Sequence, residues 1–367
     1  MVFKRTKCFP SSESALKYSY FNQSKNEFFT KSRTCILLVA FAALLGILIL
    51  SIILLPLTEF LRIWAAILLY GFEYCFVFIS LFLPGYVVLT ISSKLSIEER
   101  IIASFAITIP TYTLIALVAF IGSSAIASVT LAVILGSSAY FFLRKKMYVD
   151  FLHADYKGLA FSVIISILAL LYVSLPYDGH QFTANPAPMP DPYTSLNIKV
   201  QNLYHTPAND NYWQYRVAQF ITNRLDPKTV PFLETWNLPG LGLFERTPLV
   251  GLVAAFFFQA LQINLPSELL WTIPPANQGL SYQFFQIIAS FLNALLLSSS
   301  YLLVKRLFSE RVAFISILFM IFNPFLFLNT FYTWPKSFVG YFILLAFYFL
   351  LQNKATLAGV LAGLGFL

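Results

Sequence analysis

The stretch Phe284–Arg306, FFQIIASFLNALLLSSSYLLVKR, decides how the rest of the chain is read. Its apolar part, to about Val304, is long enough to cross a hydrocarbon core of about 30 Å, which takes roughly 20 helical residues. It stops at Lys305 and Arg306, with Arg311 close behind. Lys and Arg beside an apolar run mark the cytoplasmic end of a span, so this stretch reads as a helix running inward.

Working outward, the whole chain has the same character. Its 367 residues are 58% hydrophobic, 17% aromatic and only 11% charged, too little charge for a water-facing surface. The net charge of +8 does not point to nucleic acid, because the cations lie in short segments flanking apolar runs, where they orient helices. Cys8 lies in the N-terminal tail, and Cys35 and Cys75 lie within or beside apolar segments. They form no evenly spaced framework for disulfides or zinc and read as packing residues.

The first thirty-odd residues are largely polar and end in no small-residue cleavage site, so they read as a cytoplasmic tail and not as a signal peptide. Apolar runs follow at about Cys35–Leu55, Ile63–Leu83, Ile101–Ile121, Ala125–Leu143 and Gly158–Pro176. The second is expected to end at Pro84-Gly85. Lys94, Arg100 and Arg144-Lys145-Lys146 fall in alternate links, which places them inside.

At Tyr177 the composition changes to prolines, aromatics and carboxylates, as a long and therefore functional loop requires. Within it Asp210 is suited to cap a helix in which Trp213, Val217, Phe220 and Ile221 recur at three- and four-residue spacing, as in a helix lying in the membrane interface. Thr247 and Pro248 are expected to start a shorter apolar helix to about Leu261. If that run crossed the membrane, Lys305, Arg306 and Arg311 would face outward, so it is expected to stay at the outer surface. A further helix from Val312 to Leu328 goes out, and Phe331–Lys336 lies at the outer face. Another returns to Asn353-Lys354, and the run Leu357–Leu367 begins a helix that stops partway, as in a truncated chain.

The expectation is an all-α polytopic membrane protein with about nine transmembrane helices and a large extracytoplasmic loop, residues 177–283, carrying interfacial helices. Residues 1–33 form the tail, 34–157 a four-helix region and 158–367 a module incomplete at its end. The plasma (inner) membrane is the expected location.

Chemistry is expected outside the lipid. Arg246 stands beside a helix start whose N–H groups and dipole favour an anion, and its guanidinium suits phosphate oxygens; pairing with Glu245 is the plainer role. Asp210 can cap its helix, act as a base toward a hydroxyl, or hold a divalent metal. Lys336, after Trp334 and Pro335, can join Arg246 around one anion or simply snorkel to the interface. Asp178, His180, Asp191, Asp226 and Glu234 are further polar candidates. Glu73, midway along the second apolar run, marks a transport pathway or is protonated or bonded to a neighbouring helix. The chain contains no His-x-x-x-His, Cys-x-x-Cys, Gly-Lys phosphate loop or Gly-x-Ser-x-Gly elbow.

The order of these features resembles the GT-C membrane glycosyltransferases, with family 39 enzymes and lipid A aminoarabinose transferases the nearest comparison. An Asp heads an interfacial helix (Asp210-Asn211-Tyr212-Trp213). A Phe-Glu-Arg-Thr-Pro stretch (Phe244 to Pro248) follows, then a short surface helix and a span ending in basic residues. By that likeness Asp210 and Glu245 match the family's acids and Arg246 its basic residue. Tyr332-Thr333-Trp334-Pro335-Lys336 looks like its next outer segment. Asn211 stands where many relatives carry a second acid, Thr247 intervenes before Pro248, and Lys336 falls where some have Asp.

The resemblance implies transfer of a sugar from a polyprenyl-phosphate donor to a lipid or glycan acceptor at the extracytoplasmic face. No nucleic acid partner and no certain cofactor are expected, a divalent metal being compatible with the acids. The rival readings are a transporter or flippase for a lipid-linked or anionic solute, and an inactive scaffold of the same fold.

Overall fold

The structure, a computed structural model of the chain, describes residues 57–174, 209–225, 248–265, 280–331 and 335–366. Two units divide at Gly71/Phe72, and only 57–71 of the first is described. Among the described residues every regular element is a helix: α1 (Leu57–Ser92), α2 (Ile97–Ile121), α3 (Ser124–Arg144), α4 (Met147–His153), α5 (Lys157–Ser174), α6 (Asn209–Asn223), α7 (Leu249–Ala260), α8 (Leu280–Leu307), α9 (Glu310–Ile321), α10 (Pro324–Phe331), α11 (Lys336–Leu350) and α12 (Ala355–Phe366).

Four of these are long and apolar enough to cross a membrane, within Leu68–Ser92, Ile97–Ile121, Ser124–Arg144 and Phe284–Leu307. The number rises to six if the pairs α4–α5 and α9–α10, bent by 82° and 73°, each count as one span. The expected first span, Cys35–Leu55, lies outside the described residues.

Pro84 does not end the second helix. α1 runs on to Ser92 with Pro84 inside it, and Gly85 donates its N–H to Thr108 Oγ1 at 2.9 Å. A Cβ at Gly85 would collide with the Ser104 carbonyl, so this glycine serves the close approach of α1 to α2 and not a turn. Tyr112 on α2 donates to the Ser80 carbonyl at 2.9 Å, and Phe78 and Phe82 pack on Phe105.

The ion pairs among the described residues gather at one end. Lys305, at the end of α8, pairs with Glu98 at the start of α2 (2.8 Å) and with Asp155 between α4 and α5 (2.9 Å). Lys157 pairs with Glu310 at the start of α9. Glu99 closes a capping box with Ser96 and accepts from Tyr348 and Gln352 at the end of α11. The end of α8 and the start of α2 therefore lie at the same end of the bundle.

α7 is packed inside the protein. All twelve of its residues are buried. Phe256 stacks on Tyr112 with ring centroids 4.0 Å apart, Ser128 on α3 donates to the Ala260 carbonyl, and Phe257 and Phe258 pack on Phe284. α6 covers it through Gln214, whose Oε1 accepts from the Gly251 N–H at 3.0 Å. Residues Gln214–Ile221, Arg216 among them, are buried as well, so α6 is a packed element and not a one-sided interfacial helix. Its twelve residues, about 18 Å long, pack among α2, α3 and α8.

The expected single helix Val312–Leu328 is broken at Phe322-Asn323, before Pro324, because proline lacks an N–H and clashes with the preceding turn. α9 and α11 both begin or end at the charged end, through Glu310 and the Gln352–Lys354 turn. Between them α10 packs on α5 and α8, with Leu326 in one cluster with Ile165, Ala294 and Leu297. α9 spans about 18 Å and α11 about 22 Å, against about 42 Å for α8. The α9–α11 hairpin therefore rises only partway along α8.

Candidate functional site at the head of helix α11

The level to which that hairpin rises is fixed by one hydrogen bond. Asn293, in the middle of α8, accepts from the backbone N–H of Phe338 at 3.2 Å. Phe338 is the third residue of α11, whose first residue is Lys336 and whose preceding residue, Pro335, supplies no side-chain cap. Asn293 thus caps α11 from another helix, satisfying one of the N–H groups that a helix start leaves without an internal partner.

Gly340 lets the two helices close, since a Cβ there would come within 2.8 Å of Leu296 Cδ1. Asn293 stands twelve residues, or about 18 Å, from Lys305. Lys336, the first residue of α11, stands two residues before Phe338 and is exposed.

α8 and α11 run in the same direction, toward the charged end, so residues of α8 before Asn293 stand in front of the start of α11. Ser290 is the first polar one, a turn away. Its Oγ and the Nδ2 of Asn293 have no hydrogen-bond partner among the described residues, and the two residues are 1% and 0% exposed. Neither was singled out by the sequence analysis. The available signal was Gln286, Ser290 and Asn293 at i, i+4 and i+7, a polar stripe along an otherwise apolar helix.

The other expected site residues are distributed differently. Asp210 is the second residue of α6, because the helix begins at Asn209, so it lies in the first turn and not at the cap. Pro248 precedes α7 as its cap position and Leu249 is the first helical residue, one position later than expected. Asp178, His180, Asp191, Asp226, Glu234, Glu245, Arg246, Tyr332 and Trp334 lie outside the described residues. Of the expected set the described structure locates Lys336 fully and Asp210 by its backbone. Among the described residues no three His, Cys, Asp or Glu side chains gather to hold a metal.

Glu73 lies near the middle of α1, as expected from the sequence. Its Oε2 is buried with no partner among the described residues. Next to it Tyr74 bonds Ser166 on α5 at 2.5 Å.

At the charged end, burial disfavours the ionised form of Asp155. The Lys305 ammonium, the Lys157 N–H and the Lys157 charge together outweigh that effect, and the carboxyl titrates below the ordinary range.

Comparison of the chain with protein-family models, with curated proteins and with solved structures finds no match in any of the three.

Proposed function

We propose that this protein is a membrane glycosyltransferase that moves a sugar from a polyprenyl-phosphate donor to a lipid or glycan acceptor on the side of the membrane opposite its charged end. That charged end faces the cytoplasm. The observation that carries the reading is the start of α11. A lysine is the first residue of an apolar helix whose N–H groups and dipole favour an anion, a combination suited to the phosphate of a lipid-linked donor.

In this mechanism Asp210 takes the proton of the acceptor hydroxyl as its oxygen forms a bond to the anomeric carbon. The bond from that carbon to the donor phosphate breaks with inversion. The electron pair leaves on the lipid phosphate, whose charge Lys336, the α11 start and Arg246 stabilise, while Glu245 orients the acceptor. A divalent metal bound by these acids would add charge stabilisation to the same phosphate.

The test is mass spectrometry of surface glycans and lipid-linked sugars in a strain lacking the gene, complemented with wild type or Asp210→Asn. Restoration by wild type alone, at equal membrane levels, supports transfer with Asp210 as base. Full rescue by Asp210→Asn removes that role.

Glu73 favours a second reading. A carboxylate oxygen buried in a span without a partner suits a transporter of a lipid-linked or anionic solute. Glu73→Gln then abolishes transport, whereas in a transferase it leaves turnover near wild type.

A further inference from the structure

We propose that Asn293 and Ser290 complete a seat for the phosphate of an amphiphilic phosphate ester at the start of α11. This deepens the transferase reading, which supplies the class of donor, by naming residues that would touch its phosphate.

Two polar atoms in front of one helix start lack partners in a buried place, where leaving a donor unmade is costly. Ser290 is singular among the described serines of α8. Ser281 bonds Tyr215, and Ser298, Ser299 and Ser300 each donate to a carbonyl one turn back. Ser290 does neither. Asn293 is held by its Oδ1 to the Phe338 N–H, so its amide is fixed against the helix start and its Nδ2 has a donor to spare.

With the first N–H groups of α11 and the positive end of its dipole, the site offers donors and no carboxylate among the groups named. That is the chemistry of an anion seat. Phosphate, with several acceptor oxygens, can take the Nδ2 and Oγ donors together. The apolar helices that form the seat, α8 and α11, favour an ester with a lipid tail over a free ion.

The experiment uses the full chain in phosphatidylcholine nanodiscs and measures binding of farnesyl phosphate, of farnesol and of inorganic phosphate. Asn293→Asp is the informative variant. It keeps an oxygen to accept from Phe338, so α11 stays capped, but puts an acceptor and a negative charge where the donor was.

Wild type is expected to bind farnesyl phosphate at least about tenfold more tightly than farnesol. Asn293→Asp should lose about tenfold or more of that affinity at an unchanged melting temperature, and Ser290→Ala about threefold. Equal affinity for farnesyl phosphate and farnesol, or wild-type binding by Asn293→Asp, overturns the proposal. If Asn293→Asp fails to fold, Ser290→Ala decides in its place, and unchanged binding there overturns it. Inorganic phosphate binding as tightly as the ester overturns the lipid as its source. Loss of binding in Asn293→Asp together with absent sugar transfer by wild type leaves the seat standing and removes the transferase reading.

Discussion

Lys305 Nζ lies 2.8 Å from both carboxylate oxygens of Glu98, a residue 207 positions earlier in the chain. The same ammonium reaches Asp155, whose other contacts include the hydroxyl of Tyr301 at 3.2 Å. One lysine therefore ties the end of α8 to the start of α2 and to the bend between α4 and α5, and fixes which helix ends share a side.

Lys305→Met leaves Glu98 and Asp155 facing each other without their shared cation. It is expected to lower stability by about 2 kcal/mol, the scale of a hydrogen bond to a charged group. Thermal unfolding in detergent measures it, and an unchanged melting temperature would show the clamp to be ornamental.

Asp155 makes the clamp sensitive to acid. Its folded carboxyl titrates below the ordinary range, so the folded protein binds fewer protons there than the unfolded one does. The stabilisation is present at neutral pH and is lost as pH falls below about 4, through the ordinary value and then the folded one. Asp155→Asn should flatten this acid limb of the melting temperature against pH.

Gly85 and Gly359 have opposite surroundings. A Cβ at Gly85 meets the Ser104 carbonyl and the Thr108 hydroxyl, whereas one at Gly359 meets nothing within 4 Å. Gly85→Ala should cost about 3 kcal/mol by forcing α1 from α2, and Gly359→Ala should cost nothing or stabilise slightly. Comparing the two melting temperatures separates packing from helix propensity.

The orientation is open to direct test. In a background with Cys8, Cys35 and Cys75 replaced by serine, Lys145→Cys and Gly122→Cys sit at opposite ends of α3. A membrane-impermeant maleimide added to intact cells should label position 122 and spare 145 until the membrane is opened. The reverse pattern would invert the proposed topology.

Arg246 is the residue proposed to stabilise the donor phosphate. Arg246→Ala is expected to lower transfer about a hundred- to a thousandfold with normal membrane levels, as loss of a transition-state charge stabiliser does. Normal turnover in that variant would remove the role.

The sequence alone determined the solvent and the material of this protein. Apolar runs of membrane length and scarcity of charge impose helices in lipid, because no other open structure satisfies its backbone there. It also gave the ends of α2, α3 and α5 to within a few residues, since local periodicity and flanking charge encode them.

Only the tertiary structure decided that Pro84 continues a helix while Pro324 breaks one, since both carry the same local penalty and neighbouring packing settles the outcome. It alone drew α6 and α7 into the bundle. It alone set the start of α11 against Asn293, because that placement rests on packing and a hydrogen bond between residues 45 apart, which no local pattern contains.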